Sequence, residues 1–173
     1  MTKQTKTGAS KFEVNQHVVY PAHGVGRITG VETQEVADMS LEVYVVSFEQ
    51  DKLILRVPTA RAAASGMRPL ATSKVVSDAL RTLGGRARIK RTMWSRRAQE
   101  YEAKINSGDL ISIAEVVRDL HRADDQPDQS YSERQLYESA LDRMARELAA
   151  VEEIDHAAAI SRLSESLAQK KAA

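Results

Sequence analysis

The run Leu53-Ile54-Leu55-Arg56-Val57-Pro58, followed after a short connection by Ser73-Lys74-Val75-Val76-Ser77-Asp78-Ala79-Leu80-Arg81-Thr82-Leu83-Gly84-Gly85, divides the chain into two textures. The first run is rich in branched apolar residues and closes on a proline, as a strand does. The second places Val76, Ala79, Leu80 and Leu83 on one helical face, with Ser73 available as N-cap and Gly84-Gly85 as a stop. The residues before the change read as strand, and those after it as helix.

Toward the N-terminus, His17-Val18-Val19-Tyr20, Val25 to Val31 and Leu41 to Phe48 repeat the strand pattern. Pro21, the Gly24/Gly26/Gly30 set, Asp38 and Pro58 punctuate these runs. Short strands at a spacing of about ten residues predict a small, strongly twisted β-barrel over residues 11–70, behind a polar tail at 1–10. Toward the C-terminus, Thr92 can cap a second helix ending near Ser107-Gly108, and Asp109 a third carrying Leu110, Ile113, Val116, Val117 and Leu120 on one face. A polar loop is expected from Asp124 to Ser130, around Pro127. Ser132 then starts a helix with Leu136, Leu141, Met144, Leu148 and Val151, and Ile160, Leu163 and Leu167 mark a last one. The expected fold class is therefore α+β in two domains, a barrel at 11–70 and a compact all-helical unit at 71–173.

Of the 173 residues, 42% are hydrophobic and 28% charged, ordinary values for a globular chain. No apolar run approaches the roughly 18 residues of a membrane span, so no membrane association is expected. Met1 to Gly8 lacks the apolar stretch of a signal peptide, and the absence of cysteine rules out disulfides and thiol chemistry. A cytoplasmic protein is expected. His17, His23, His121 and His156 are scattered, without metal-ligand spacing. Gly24-Val25-Gly26-Arg27-Ile28-Thr29-Gly30 is one residue too long for a dinucleotide loop and runs into another strand, so a turn or close backbone packing is the better reading. Asp124, Asp125 and Asp128 lack the register of a calcium loop. Neither an enzyme nor a cofactor is expected.

The formal net charge of +1 conceals a segregation. Residues 81–108 hold eight basic and two acidic side chains, whereas residues 109–173 hold eight basic and fourteen acidic. A basic centre balanced by an acidic C-terminal third points to a local anionic partner. The densest part is Arg86-Ala87-Arg88-Ile89-Lys90-Arg91-Thr92-Met93-Trp94-Ser95-Arg96-Arg97, which also carries the one tryptophan of the chain. Guanidinium forks match phosphate oxygens, and an apolar ring can wedge between base steps. Trp94 also aligns with Ala98, Tyr101 and Ile105 on a helical stripe, the pattern of a core residue. Its place in the first turn after Thr92 would equally let it project, and pattern alone leaves both readings open. In the barrel, Gln34 to Ser40 reads as a polar connection bordering an edge near Val36, either an ordinary hairpin loop or a strand edge open to another protein.

Taken in order, Val19-Tyr20-Pro21-Ala22-His23-Gly24-Val25-Gly26, Leu55-Arg56-Val57-Pro58, Trp94-Ser95-Arg96-Arg97, Ser107-Gly108-Asp109 and Ala114-Glu115-Val116-Val117-Arg118-Asp119-Leu120 resemble the CarD/CdnL family of bacterial transcription regulators. The likeness spans about residues 12–155. It implies a Tudor-like barrel that binds the β-subunit lobe of RNA polymerase, followed by a helical domain that binds promoter DNA through the minor groove, with little sequence readout. By position, Trp94 corresponds to a wedge at the upstream edge of the melted promoter, and Arg96 and Arg97 to backbone contacts. Arg88, Lys90 and Arg91 join them as basic candidates. Arg56 corresponds to a polymerase-facing position, and Val36 and Gln34, on a hairpin one residue longer than in some relatives, are further polymerase-binding candidates. Many members continue the tryptophan motif with an aromatic and then a basic residue. This chain has Ala98-Gln99, so that phosphate contact is either lost or transferred to Arg88, Lys90 or Arg91. The expectation is a monomer without metal that stabilises the open promoter complex. The competing readings are a sequence-specific repressor or activator working without polymerase, and a protein-interaction adaptor with Trp94 in its core.

Overall fold

The structure is a computed structural model and describes residues 12–122, 127 and 129–168. The expected tail at 1–10 and part of the expected loop from Asp124 to Ser130 lie outside the described residues. The strands are β1 (His17–Tyr20), β2 (Gly24–Val36), β3 (Met39–Phe48), β4 (Leu53–Pro58) and β5 (Arg68–Pro69), with a 3-10 turn at Thr59–Arg61. The helices are α1 (Ser73–Leu83), α2 (Trp94–Asn106), α3 (Leu110–Leu120), α4 (Tyr131–Glu152) and α5 (His156–Ala168). The fold is α+β, an antiparallel sheet followed by helices, as the change of texture predicts.

The strand order is β4-β3-β2-β1-β5, so the link from β4 to β5 joins opposite edges of one sheet. That link packs Ala62 and Met67 into the same core as Phe12, Val18, Ile28, Tyr44, Val46, Phe48 and Val57. The sheet must curl for both edges to reach this core, which makes the unit barrel-like. Gly24 opens β2 at φ +76°, and a Cβ on Gly26 would stand 2.7 Å from the Phe48 ring. The glycine run thus serves turn geometry and close packing.

Four expectations need correction. Gln34 to Ser40 is not a loop. β2 and β3 pair out to Val36 and Met39, and the turn is only Ala37-Asp38, both at positive φ, which suits the twist of a tight hairpin. Ser73 is not the cap of α1; Thr72, in extended backbone, accepts from the Val75 N–H instead. Thr92 does not cap α2, which begins at Trp94 behind Met93 with no side-chain cap. Asp109 does cap α3, accepting from the Ser112 N–H. The fourth helix starts one residue earlier than expected, at Tyr131, capped by Ser130.

The helices share a second core built on Leu83, Ile105, Ile113, Val116, Val117, Leu120, Met144, Leu148 and Leu163. A polar joint fastens it to the sheet. Arg68 of β5 donates to both carboxylate oxygens of Glu147 on α4 at 2.8 Å and to the Gly108 carbonyl at 2.7 and 3.0 Å. The Glu147 carboxylate, 3% exposed, also accepts from the Ala71 N–H. Arg143 donates to the carbonyls of Pro21, Ala22 and Ile105, tying α4 to the β1–β2 turn and to α2. Burial pulls its guanidinium below the usual range, with Arg146 adding to the effect. No helix among the described residues is long and apolar enough to cross a membrane.

Candidate nucleic-acid interface and sheet face

Trp94 occupies the first position of α2, half-buried, with one side against the helical core. The two readings that sequence pattern leaves open are therefore both partly realised. Its indole N–H donates to Ser132 Oγ at 3.0 Å, joining the start of α2 to the start of α4. Its ring centroid lies 6.3 Å from that of Tyr101, which is buried one helical stretch further along. The Arg97 guanidinium stands 5.4 Å from the Trp94 ring centroid and 5.8 Å from that of Tyr101, within cation–π range. Arg97 also donates to the Tyr101 hydroxyl at 3.4 Å. The indole is thus held in one orientation by a hydrogen bond at its edge and a cation over its face.

The other basic candidates fall into distinct settings. Arg96 and Arg91 are exposed. Lys90 pairs with Glu100 at 3.2 Å, a solvent-exposed bridge of small worth that a phosphate can replace. The Arg88 side chain is exposed, while its backbone N–H donates to Asp119 at 3.0 Å. Asp119 is 5% exposed and also accepts from Arg118 Nε at 2.8 Å, so it pins the irregular basic segment to α3. Sequence reasoning misses these roles of Asp119 and Ser132. Both act on partners far along the chain, and no local pattern marks such a pairing.

The second candidate site lies on the outside of the sheet. The register pairs Gln34 with Leu41, Val36 with Met39, Glu32 with Val43 and Arg56 with Val45, which puts Gln34, Val36 and Arg56 on one face. Arg56 Nε meets Glu32 at 3.3 Å across the intervening strand. The same face carries Val36 and Met39 at the hairpin tip, 58% and 73% exposed, and Ile54, 57% exposed, on the other side of Arg56. Exposed apolar side chains and a guanidinium on one face have the composition that protein interfaces use. Sequence pattern does not mark Met39 or Ile54, because Met39 falls within the expected loop and Ile54 at an ordinary strand position.

Two family models match this chain. The CarD C-terminal domain covers residues 78–164, and the CarD-like/TRCF RID domain covers residues 12–71. Among individual proteins, YdeB of Bacillus subtilis (strain 168), whose name proposes a transcription factor, is 25% identical over 143 residues, spanning 83% of this chain and 94% of that protein. The solution structure of the 72-residue N-terminal domain of Myxococcus xanthus CarD is 34% identical, covering 37% of this chain and 87% of that domain, with a TM-score of 0.31.

Proposed function

This chain belongs to the CarD family of transcription regulators, and from that premise we propose that it stabilises the open promoter complex by holding RNA polymerase and promoter DNA together. The sheet face around Gln34, Val36 and Arg56 binds the polymerase β subunit, assigning that role to residues 11–70. Residues 71–173 bind DNA, with Trp94 entering the minor groove at the upstream edge of the bubble. Arg96, Arg97, Arg88, Lys90 and Arg91 supply phosphate contacts. The protein acts as a monomer on polymerase in the cytoplasm, without catalysis or a cofactor.

The observation that carries this reading is the setting of Trp94. A large ring at the first position of a helix, braced by Ser132 and Arg97 and surrounded by exposed arginines, is prepared to meet an anionic groove. Preorganisation matters because the ordering entropy of the ring is spent before DNA arrives. About four phosphate contacts give a salt slope of roughly −3.6 in log K against log[salt], and such contacts alone give a Kd of about 10⁻⁴–10⁻⁶ M. Tethering through polymerase raises the effective concentration to the order of mM, enough to fill the site. An intercalating ring costs a few kcal/mol of unstacking in intact duplex. At a bubble edge the stack is already broken, so the ring favours the open state, and only such a differential shifts the equilibrium. A difference of about 1.4 kcal/mol changes the open-to-closed ratio tenfold.

The test is the lifetime of competitor-challenged open complexes formed with cognate polymerase. Wild-type protein should lengthen it. Trp94→Ala should lose most of that effect while still binding polymerase, and Arg56→Ala should weaken polymerase binding first. Equal lengthening by wild type and Trp94→Ala would overturn the wedge.

A further inference from the structure

Two further exposed side chains adjoin, in sequence, Trp94 and its hydrogen-bond partner Ser132. Among the described residues of the helical half, the large apolar side chains left exposed are Ile89, Met93 and Tyr131, at 46%, 78% and 77%. Met93 directly precedes Trp94, and Tyr131 directly precedes Ser132. The Trp94–Ser132 hydrogen bond therefore brings the two residues to the same end of the helical unit, one at the start of α2 and the other at the start of α4.

Met93 runs against local preference, and Tyr131 leaves a large ring in solvent. Met93 is the N-cap of α2 and makes no capping bond, where Ser, Thr, Asp or Asn would satisfy a backbone N–H. Thr92, a good cap, sits one residue too early to serve. Tyr131 exposes its ring at the first position of α4, its hydroxyl accepting from Gln135 at 2.7 Å. A local cost with no gain in the free protein is expected where a partner supplies the gain.

We propose that Met93 and Tyr131 are DNA-contacting residues that flank Trp94, making a three-residue apolar wedge that enters the minor groove at a disrupted base step. The inference rests on the reading of this end as the DNA-binding surface, with which it is continuous. Apolar side chains, methionine among them, are the ones that unstack base steps from the minor groove, and the surrounding Arg91, Arg96 and Arg97 complement the phosphates on either side. A flexible methionine fills an irregular gap beside the indole, while the tyrosine ring offers a flat face to a base. The duplex, rather than a protein, fits this combination because the apolar side chains are few and Arg91 and Arg96 stand exposed in the segment of Met93 and Trp94.

Met93→Ser and Tyr131→Ala test the proposal in the full-length protein with polymerase and promoter, alongside Trp94→Ala. Serine is the better cap, so Met93→Ser should melt at or above the wild-type temperature. Each variant should bind polymerase as wild type does and shorten the open-complex lifetime gained from the protein by roughly fivefold, because partial burial of an apolar side chain is lost in the open state alone. Wild-type lifetimes for Met93→Ser and Tyr131→Ala, with the effect lost in Trp94→Ala, would overturn this inference and leave the wedge intact. Wild-type lifetimes for all three would overturn both. A lifetime lost together with polymerase binding would make the patch a protein contact and equally overturn it.

Discussion

Tyr137 of α4 shows how one half-buried hydroxyl ties the helical unit to pH. Burial disfavours its phenolate and raises its pKa above the usual tyrosine value, and its oxygen lies 3.0 Å from His121 Nδ1. The unfolded chain ionises a tyrosine near pH 10 as usual, while the folded chain keeps this proton. The folded state then binds more protons, so stability is undiminished below about pH 10 and falls as pH rises beyond it. Tyr137→Phe should flatten that fall when urea midpoints are compared at pH 8 and 10.5. An identical decline in both proteins would remove Tyr137 as its source. At the same scale, the orientation of Trp94 is set by Ser132, which is 38 positions away in sequence. Sequence pattern makes Ser132 the start of a helix, but it lies one residue inside α4 and its hydroxyl serves the indole.

The turn between α2 and α3 is a point at which the two halves touch. Gly108 has φ +75°, a conformation that disfavours any Cβ, and a Cβ there would stand 3.0 Å from Pro21 Cα. Its carbonyl takes two bonds from Arg68, so the backbone cannot shift freely to relieve the contact. Gly108→Ala should cost about 1–3 kcal/mol, read from the denaturation midpoint at constant slope. Gly30 is the contrast, with nothing within 4 Å of its Cβ position, and Gly30→Ala should change stability by less than about 1 kcal/mol. Equal losses at the two glycines would contradict this account of Gly108. Most helices and strands are legible in the sequence, since apolar periodicity marks them directly. Their starts are legible where the capping side chain has no competitor, as at Asp109. They are not legible at Thr92, where the chain begins α2 at Trp94 and leaves the threonine outside.

Across the whole molecule, the proposed function needs the separation of the sheet face with Arg56 and the helical end with Trp94 to be held. The joint through Arg68, Glu147 and Arg143 holds it. Removing Glu147 leaves the Arg68 guanidinium, 28% exposed, facing carbonyls without its counter-charge. Glu147→Ala should therefore destabilise by roughly 3 kcal/mol. It should also lose part of the open-complex lifetime while each isolated interaction, with polymerase or with DNA, persists. A loss below about 1 kcal/mol with full activity would show that the apolar packing alone sets the geometry.

The sequence by itself determined the element types, the basic centre against an acidic C-terminal third, and the ordered motifs of the CarD family, because these depend on residues near one another along the chain. It carried Trp94 with its basic candidates as one segment, and Arg56 as a residue, but not which side chains meet across the fold. The tertiary structure decided that Gln34, Val36 and Arg56 share a face, since strand register depends on a hairpin turn only two residues long. It decided likewise that Trp94 is braced by α4, that Asp119 pins the basic segment, and that Glu147 is buried as half of an ion pair. Each of these is a contact between distant segments, fixed by the packing of the cores and by the need to satisfy buried polar groups.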